Sequence, residues 1–146
     1  MDKHQVIERY ARAATEHDLE TTARLLHPDV VVRYPQSGEI FRGRDNYLKM
    51  LSEYPTGLPE GQISAIKGEG TTALLPSTMP FASSTITVFG GDQFVIEGLA
   101  RYADGKKFNT VFLLRLQGGL VIEESDYFAE PFDAPEWRRP FVDQSK

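Results

Sequence analysis

Cysteine is absent from the 146 residues, which excludes disulfides, thiolate nucleophiles and cysteine-ligated metals. Histidine occurs only at positions 4, 17 and 27, with no spacing that would set two rings on one metal, so no metal site is expected. No Lys/Arg cluster is longer than two residues and the net charge is −5, which removes the electrostatic footprint of a nucleic-acid binder and argues against anionic membrane surfaces. No apolar run approaches the length that spans a bilayer, and the opening MDKHQVIERYARAATEHDLE is charged and helical, without an apolar signal core; a soluble cytoplasmic protein is expected. Phosphate loops, dinucleotide fingerprints and nucleophile elbows are missing too, since the glycine pairs at 90 and 118 lie between strands, so no cofactor is indicated.

What is present suits one domain over residues 1–146: 40% of the chain is hydrophobic and 11% aromatic, enough for one sizeable core. Apolar residues at helical spacing (Val6, Ile7, Tyr10, Ala14, then Leu19, Ala23, Leu26) predict two helices in tandem, broken near His17, with Asp18 capping the second. VVVRYP predicts a strand with Val30, Val32 and Tyr34 on one side, ended by Pro35. A turn at 36–38 leads to a third helix, GRDNYLKMLSEY, stopped by Pro55. A loop then precedes a strand over 62–67. The segment GEGTTALLPSTMP reads as irregular or as an edge, because Pro76 and Pro80 do not suit a central strand. Strands follow at 81–89, 94–102, 108–117 and 120–128, separated by turns at GGDQ, ADGK and Gly118–Gly119. Helices first and antiparallel strands afterwards give an α+β domain, a strongly curved sheet wrapped over helices around a hollow centre. The Pro-rich tail from about 130 to 146 carries Phe132, Trp137 and Phe141, which implies packing on the body or on a second subunit.

Four blocks carry a resemblance: the HPD and β-branched run at 27–32, YPQSGEIFRGRDN at 34–46, the hairpin ADGKKF at 103–108, and DYFAEPFDAPEW at 126–137. With these the chain resembles the SnoaL-like family of the nuclear transport factor 2-like superfamily, which implies a cone-shaped α+β fold with helices on a curved antiparallel or mixed sheet. The resemblance is specific for fold and not for activity, because the superfamily includes isomerases, cyclases, hydratases, dehydratases and non-catalytic proteins. In SnoaL-like polyketide cyclases and the phenazine-biosynthesis proteins an acid on the last strand projects into the cavity, and Asp126 matches it. The phenazine proteins also place a histidine on the third helix; NYLKMLSEY has Met50 near that position instead. Where many relatives carry an Asn on the penultimate strand, this chain has Thr110 or, with a one-residue shift, Asn109.

Alternation puts Phe108, Thr110, Phe112, Leu114 and Leu116 on the drier face of their strand. The final strand divides into Leu120, Ile122, Glu124, Asp126 and Phe128 against Val121, Glu123, Ser125 and Tyr127. Neither set is purely apolar, so the inward position of Asp126 is what the resemblance implies. A desolvated Asp126 would have a raised pKa and could act as general acid or base, or it could be a satisfied structural carboxylate. Tyr34, Tyr102 and Thr110 are candidate orienting groups, with Phe112 and Phe128 as walls. Gly98 and Ala100 leave space beside Tyr102. Glu97, Arg101, Arg115 and Glu123 read as cross-strand ion pairs on the outer face. The expected function is binding of a small hydrophobic or aromatic molecule by a homodimer, with cofactor-independent isomerisation, cyclisation or hydration at Asp126; the alternative is a non-catalytic binding or interaction module.

Overall fold

A computed structural model describes residues 1–55, 57–75 and 84–143. Helix α1 spans Lys3–Thr15. Its start is fixed by a capping box: Gln5 N donates to Asp2 Oδ1 at 2.8 Å and Asp2 N donates to Gln5 Oε1 at 2.9 Å. The break that follows is made by His17, whose φ of 58° lies in the left-handed region, and Asp18 caps α2 (Leu19–Leu25) by accepting from Thr21 N at 3.0 Å. The third helix, α3, spans Arg44–Ser52.

The six strands are β1 (Leu26–Tyr34), β2 (Glu39–Arg42), β3 (Glu60–Leu75), β4 (Ser84–Arg101), β5 (Lys107–Gln117) and β6 (Leu120–Ala129). They form one curled sheet in the order β2-β1-β6-β5-β4-β3, in which only the β1–β6 pair is parallel. This is the expected α+β cone. Its core is built where the concave face meets α1: Ile7 from the helix meets Leu26, Val30, Val32, Leu114, Leu116 and Val121, all fully buried. Each such side chain stabilises the fold by roughly 1.5–3 kcal/mol through removal from water.

Two strand features differ from the periodicity reading. Strand β2 was not expected; it has only four residues and is mostly exposed, so it carries no burial pattern, yet its backbone pairs Arg42 with Val31 through Glu39 with Tyr34. The segment from Gly68 to Leu75 continues β3 at the sheet edge, which agrees with the edge alternative, while Pro76, Pro80 and residues 81–83 lie outside the described residues. GGDQ is not a turn between two strands but a bulge inside the continuous β4: Gly68 pairs with Phe94 and Gly70 with Phe89, so 90–93 bow out opposite a single residue, with Gly91 at φ 75°. Glycine at 68 has its own reason, because any Cβ there would overlap the Phe94 ring, which is buried across the strand pair.

The tail folds into a short 3-10 helix, Glu136–Phe141. Its rings do not cover the chain's own body: Phe132 is 83%, Trp137 72% and Phe141 84% exposed.

Candidate functional site

The site follows from one irregularity in the last hairpin. Gly118 and Gly119, both at positive φ, close a two-residue turn that pairs Gln117 with Leu120 and Leu116 with Val121. The next pair, however, is Arg115 with Glu123, so Ile122 is an extra residue on β6. The bulge flips the side-chain parity. Val121 faces the core before it, and Glu124, Asp126 and Phe128 face the concave side after it, opposite Leu114, Phe112 and Thr110. This corrects the simple alternation, which put Val121 with Glu123 and Ser125, and it explains why neither set looked apolar.

Two acids, not one, therefore enter the interior. Glu124 is 3% and Asp126 4% exposed, and as alternate residues on one strand face they stand about 6.5 Å apart along the backbone. Their surroundings differ. Tyr10 of α1 donates its hydroxyl to Glu124 Oε1 at 3.1 Å, and the Tyr47 phenol of α3 also favours the charged form of this carboxylate. Asp126 Oδ1 is buried with no hydrogen-bond partner. An orphaned buried polar atom costs on the order of 1–3 kcal/mol, so the fold tolerates here a group it does not satisfy. Burial pushes the Glu124 carboxyl up to about 7 against the pull of the two phenols, and burial plus the neighbouring Glu124 charge holds Asp126 well above the usual carboxylate range.

Both acids border a cavity of about 570 Å³ between the helices and the concave sheet, and the six residues singled out from sequence, Tyr34, Tyr102, Thr110, Phe112, Asp126 and Phe128, all line it. Their relations differ. Phe128 packs edge-on against Tyr34 (5.6 Å) and Phe112 (6.0 Å), making a wall beside Asp126. Thr110 is buried and diagonal to Asp126 across the β5–β6 pair, while Asn109 is exposed, which settles which of the two faces inward. Tyr102 stands at the other end, edge-on to Phe108 and with its ring centre 6.5 Å from that of Tyr54, away from the acids. Burial raises the phenol pKa of Tyr10, Tyr34, Tyr47 and Tyr102 alike, so all four stay neutral donors.

Sequence reasoning missed Glu124, Tyr10 and Tyr47 as site residues. Glu124 shares the parity of Asp126, which was the available signal; the two tyrosines read as helix core. The charged residues of the outer face pair as expected in kind, Arg115 with Glu123 (3.0 Å), Lys67 with Glu97 (3.1 Å) and Arg101 with Glu60. These half-exposed pairs contribute little each. No helix among the described residues is long and apolar enough to cross a membrane.

Known proteins sharpen the picture. No curated protein matches the chain. Among solved structures, an NTF-2 like protein of unknown function from Burkholderia xenovorans superposes with a TM-score of 0.77 at 25% identity, covering 99% of this chain and 95% of that one. A "putative ketosteroid isomerase" from Kribbella flavida gives 0.75 at 20% identity, covering 99% and 90%. An LEH-like epoxide hydrolase of M. tuberculosis gives 0.61 at 17%, covering 85% and 80%. The last two likenesses bear on fold alone. The profile of the SnoaL-like domain matches residues 7–124, from the first helix to the first of the two buried acids. A helix-backed, curled mixed sheet and a sequence match over most of its length give one result: the chain belongs to the SnoaL-like domain family, on the NTF2-like fold.

Proposed function

We propose that this protein binds a small hydrophobic or aromatic molecule in the internal cavity and exchanges a proton with it through Asp126, in a cofactor-independent isomerisation, cyclisation or hydration. The observation that carries this reading is the orphaned Oδ1 of Asp126, buried at the wall of a 570 Å³ chamber. A carboxyl whose proton affinity is raised by burial is suited to acid/base work, and its free oxygen leaves it open to a ligand atom. The chamber lies within the volume range of small-molecule sites, and its wall is mostly aromatic and aliphatic. Among the described residues no Lys or Arg lines it, so a carboxylate or phosphate ligand would meet two acids without a counter-charge. Tyr34 and Thr110 then orient the ligand, Phe112 and Phe128 wall it in, and Tyr102 contacts its far end.

A homodimer remains part of this reading, supported by the three tail rings, which stay mostly exposed on their own chain. The cavity weighs against a purely interactional role, for which a filled interior would serve. The test is a panel of small hydrophobic epoxides and unsaturated ketones offered to the wild type and to Asp126→Asn. The variant is expected to bind as well and to lose at least about 100-fold in turnover, the usual worth of a general acid/base. Equal turnover by Asp126→Asn, or no binding of any apolar probe by the wild type, would remove the proposal.

A further inference from the structure

Glu124 is the group the proposed chemistry does not use. It is as buried as Asp126, one strand repeat away on the same face, and unlike Asp126 it accepts a hydroxyl hydrogen bond, from Tyr10 of α1, with the Tyr47 phenol of α3 also favouring its charge. Such a cradle stabilises a negative charge; the bare oxygen beside it does not. We propose that Glu124 and Asp126 form one proton-sharing unit, in which Glu124 carries the charge beneath Tyr10 and Tyr47 and Asp126 holds the single proton toward the cavity. Glu124 is a positioning residue: it sets the protonation of Asp126 without touching the ligand. The inference rests on the reading of Asp126 as the proton-exchanging group.

The surroundings support an asymmetric pair. From α1 the ionisable group facing the acids is Tyr10, from α3 Tyr47 and from β1 Tyr34, all neutral donors. From β5 the residues opposite are Leu114 and Phe112, neither of which titrates. Among the described residues no lysine or arginine borders the chamber, and the one histidine that does, His17, is exposed at the helix junction with its Nε2 2.7 Å from Pro59 O. Two carboxylates this close in an apolar site repel, so the second proton is lost only with difficulty, and the proton affinity of Asp126, raised by burial and then by the Glu124 charge, agrees with this. When the Asp126 O–H breaks and its proton passes to a ligand atom, both carboxylates are left charged. That repulsion favours recovery of a proton from another ligand atom, as an isomerisation requires, and no external acid is consumed.

The test needs no ligand. In the full chain labelled with ¹³C at the Asp and Glu carboxyls, NMR signals of Glu124 and Asp126 are followed from pH 4 to pH 9. The wild type is expected to show two linked steps, with both signals responding in each. Glu124→Gln should weaken the proton affinity of Asp126 by about tenfold or more, the threshold for coupled sites. Tyr10→Phe should strengthen that of Glu124 roughly fivefold, through loss of one donor to its charged form. Independent single steps, or an Asp126 titration unmoved by Glu124→Gln, overturn the pair. Should Glu124→Gln not fold, an unmoved Glu124 signal in Tyr10→Phe overturns it instead. Loss of turnover in Asp126→Asn combined with independent titrations would leave the proposed function standing and remove only the sharing.

Discussion

Raising the pH from 5 to 8 should destabilise this protein, against the habit of domains whose buried carboxylates are salt-bridged. In the unfolded chain Glu124 ionises near 4.5; in the fold, burial pushes it up to about 7. Between those values the folded state holds a proton that the unfolded state has released, so each rise in pH favours unfolding. The stabilising contribution is complete below the unfolded value and is lost as pH climbs through the folded one. A difference from 4.5 to about 7 corresponds to about 3 kcal/mol. Asp126 is shifted the same way and adds to it. Glu123 and Asp18 are held below their ordinary values, so their contributions vanish on acidification and leave the upper window clean. With a urea dependence of about 2 kcal/mol per molar for a domain of this size, the midpoint should fall by roughly 1.5 M between pH 5 and pH 8. Far-UV circular dichroism is the proper probe, because the lone Trp137 is 72% exposed in the tail and its fluorescence would not follow the core. A double variant Glu124→Gln, Asp126→Asn should flatten the trend. A midpoint that is level or rises across this window, or an unchanged slope in the double variant, would refute the account of the two acids.

Gly68→Ala forces a methyl into the Phe94 ring and should cost about 1–3 kcal/mol in thermal denaturation; a neutral result would mean the ring has room to move. Leu116→Ala removes a fully buried side chain opposite Val121 and should cost about 2–5 kcal/mol by urea denaturation, with a loss below 1 kcal/mol counting against the packing described. Deleting residues 131–146 should leave the chain's own unfolding free energy within about 0.5 kcal/mol, since the tail rings are mostly exposed on it, while sedimentation should show weaker self-association. A tail-less chain that self-associates unchanged would remove the tail from the proposed dimer.

Much of this architecture could be read from residue order. The helix break at His17 and Asp18, the inward Val30 and Val32, and the Thr110-to-Leu116 face each depend on local spacing, and local spacing is what a sequence displays. What escaped depends on pairing. Strand β2 exists because β1 offers it an edge, and 90–93 bow out of β4 because β3 supplies one residue opposite four. The Ile122 bulge likewise belongs to two strands at once, so no periodicity within β6 could have shown Val121 and Glu124 on one side. Tyr10 and Tyr47 looked like core because they are core; their hydroxyls became part of a site only when β6 brought Glu124 beneath them.

The surplus residue at 122 acts as a phase selector for the whole end of the molecule. Were Ile122 drawn into a regular ladder instead of held out of it, every side chain beyond would turn over: Glu123, Ser125 and Tyr127 would look into the chamber, and the two acids with Phe128 would face outward. Deleting Ile122, by contrast, restores plain alternation from Val121 to Glu124 and leaves both acids inside. The lining of this chamber is thus decided by whether a single residue is kept out of strand pairing, with no change in any amino acid that lines it.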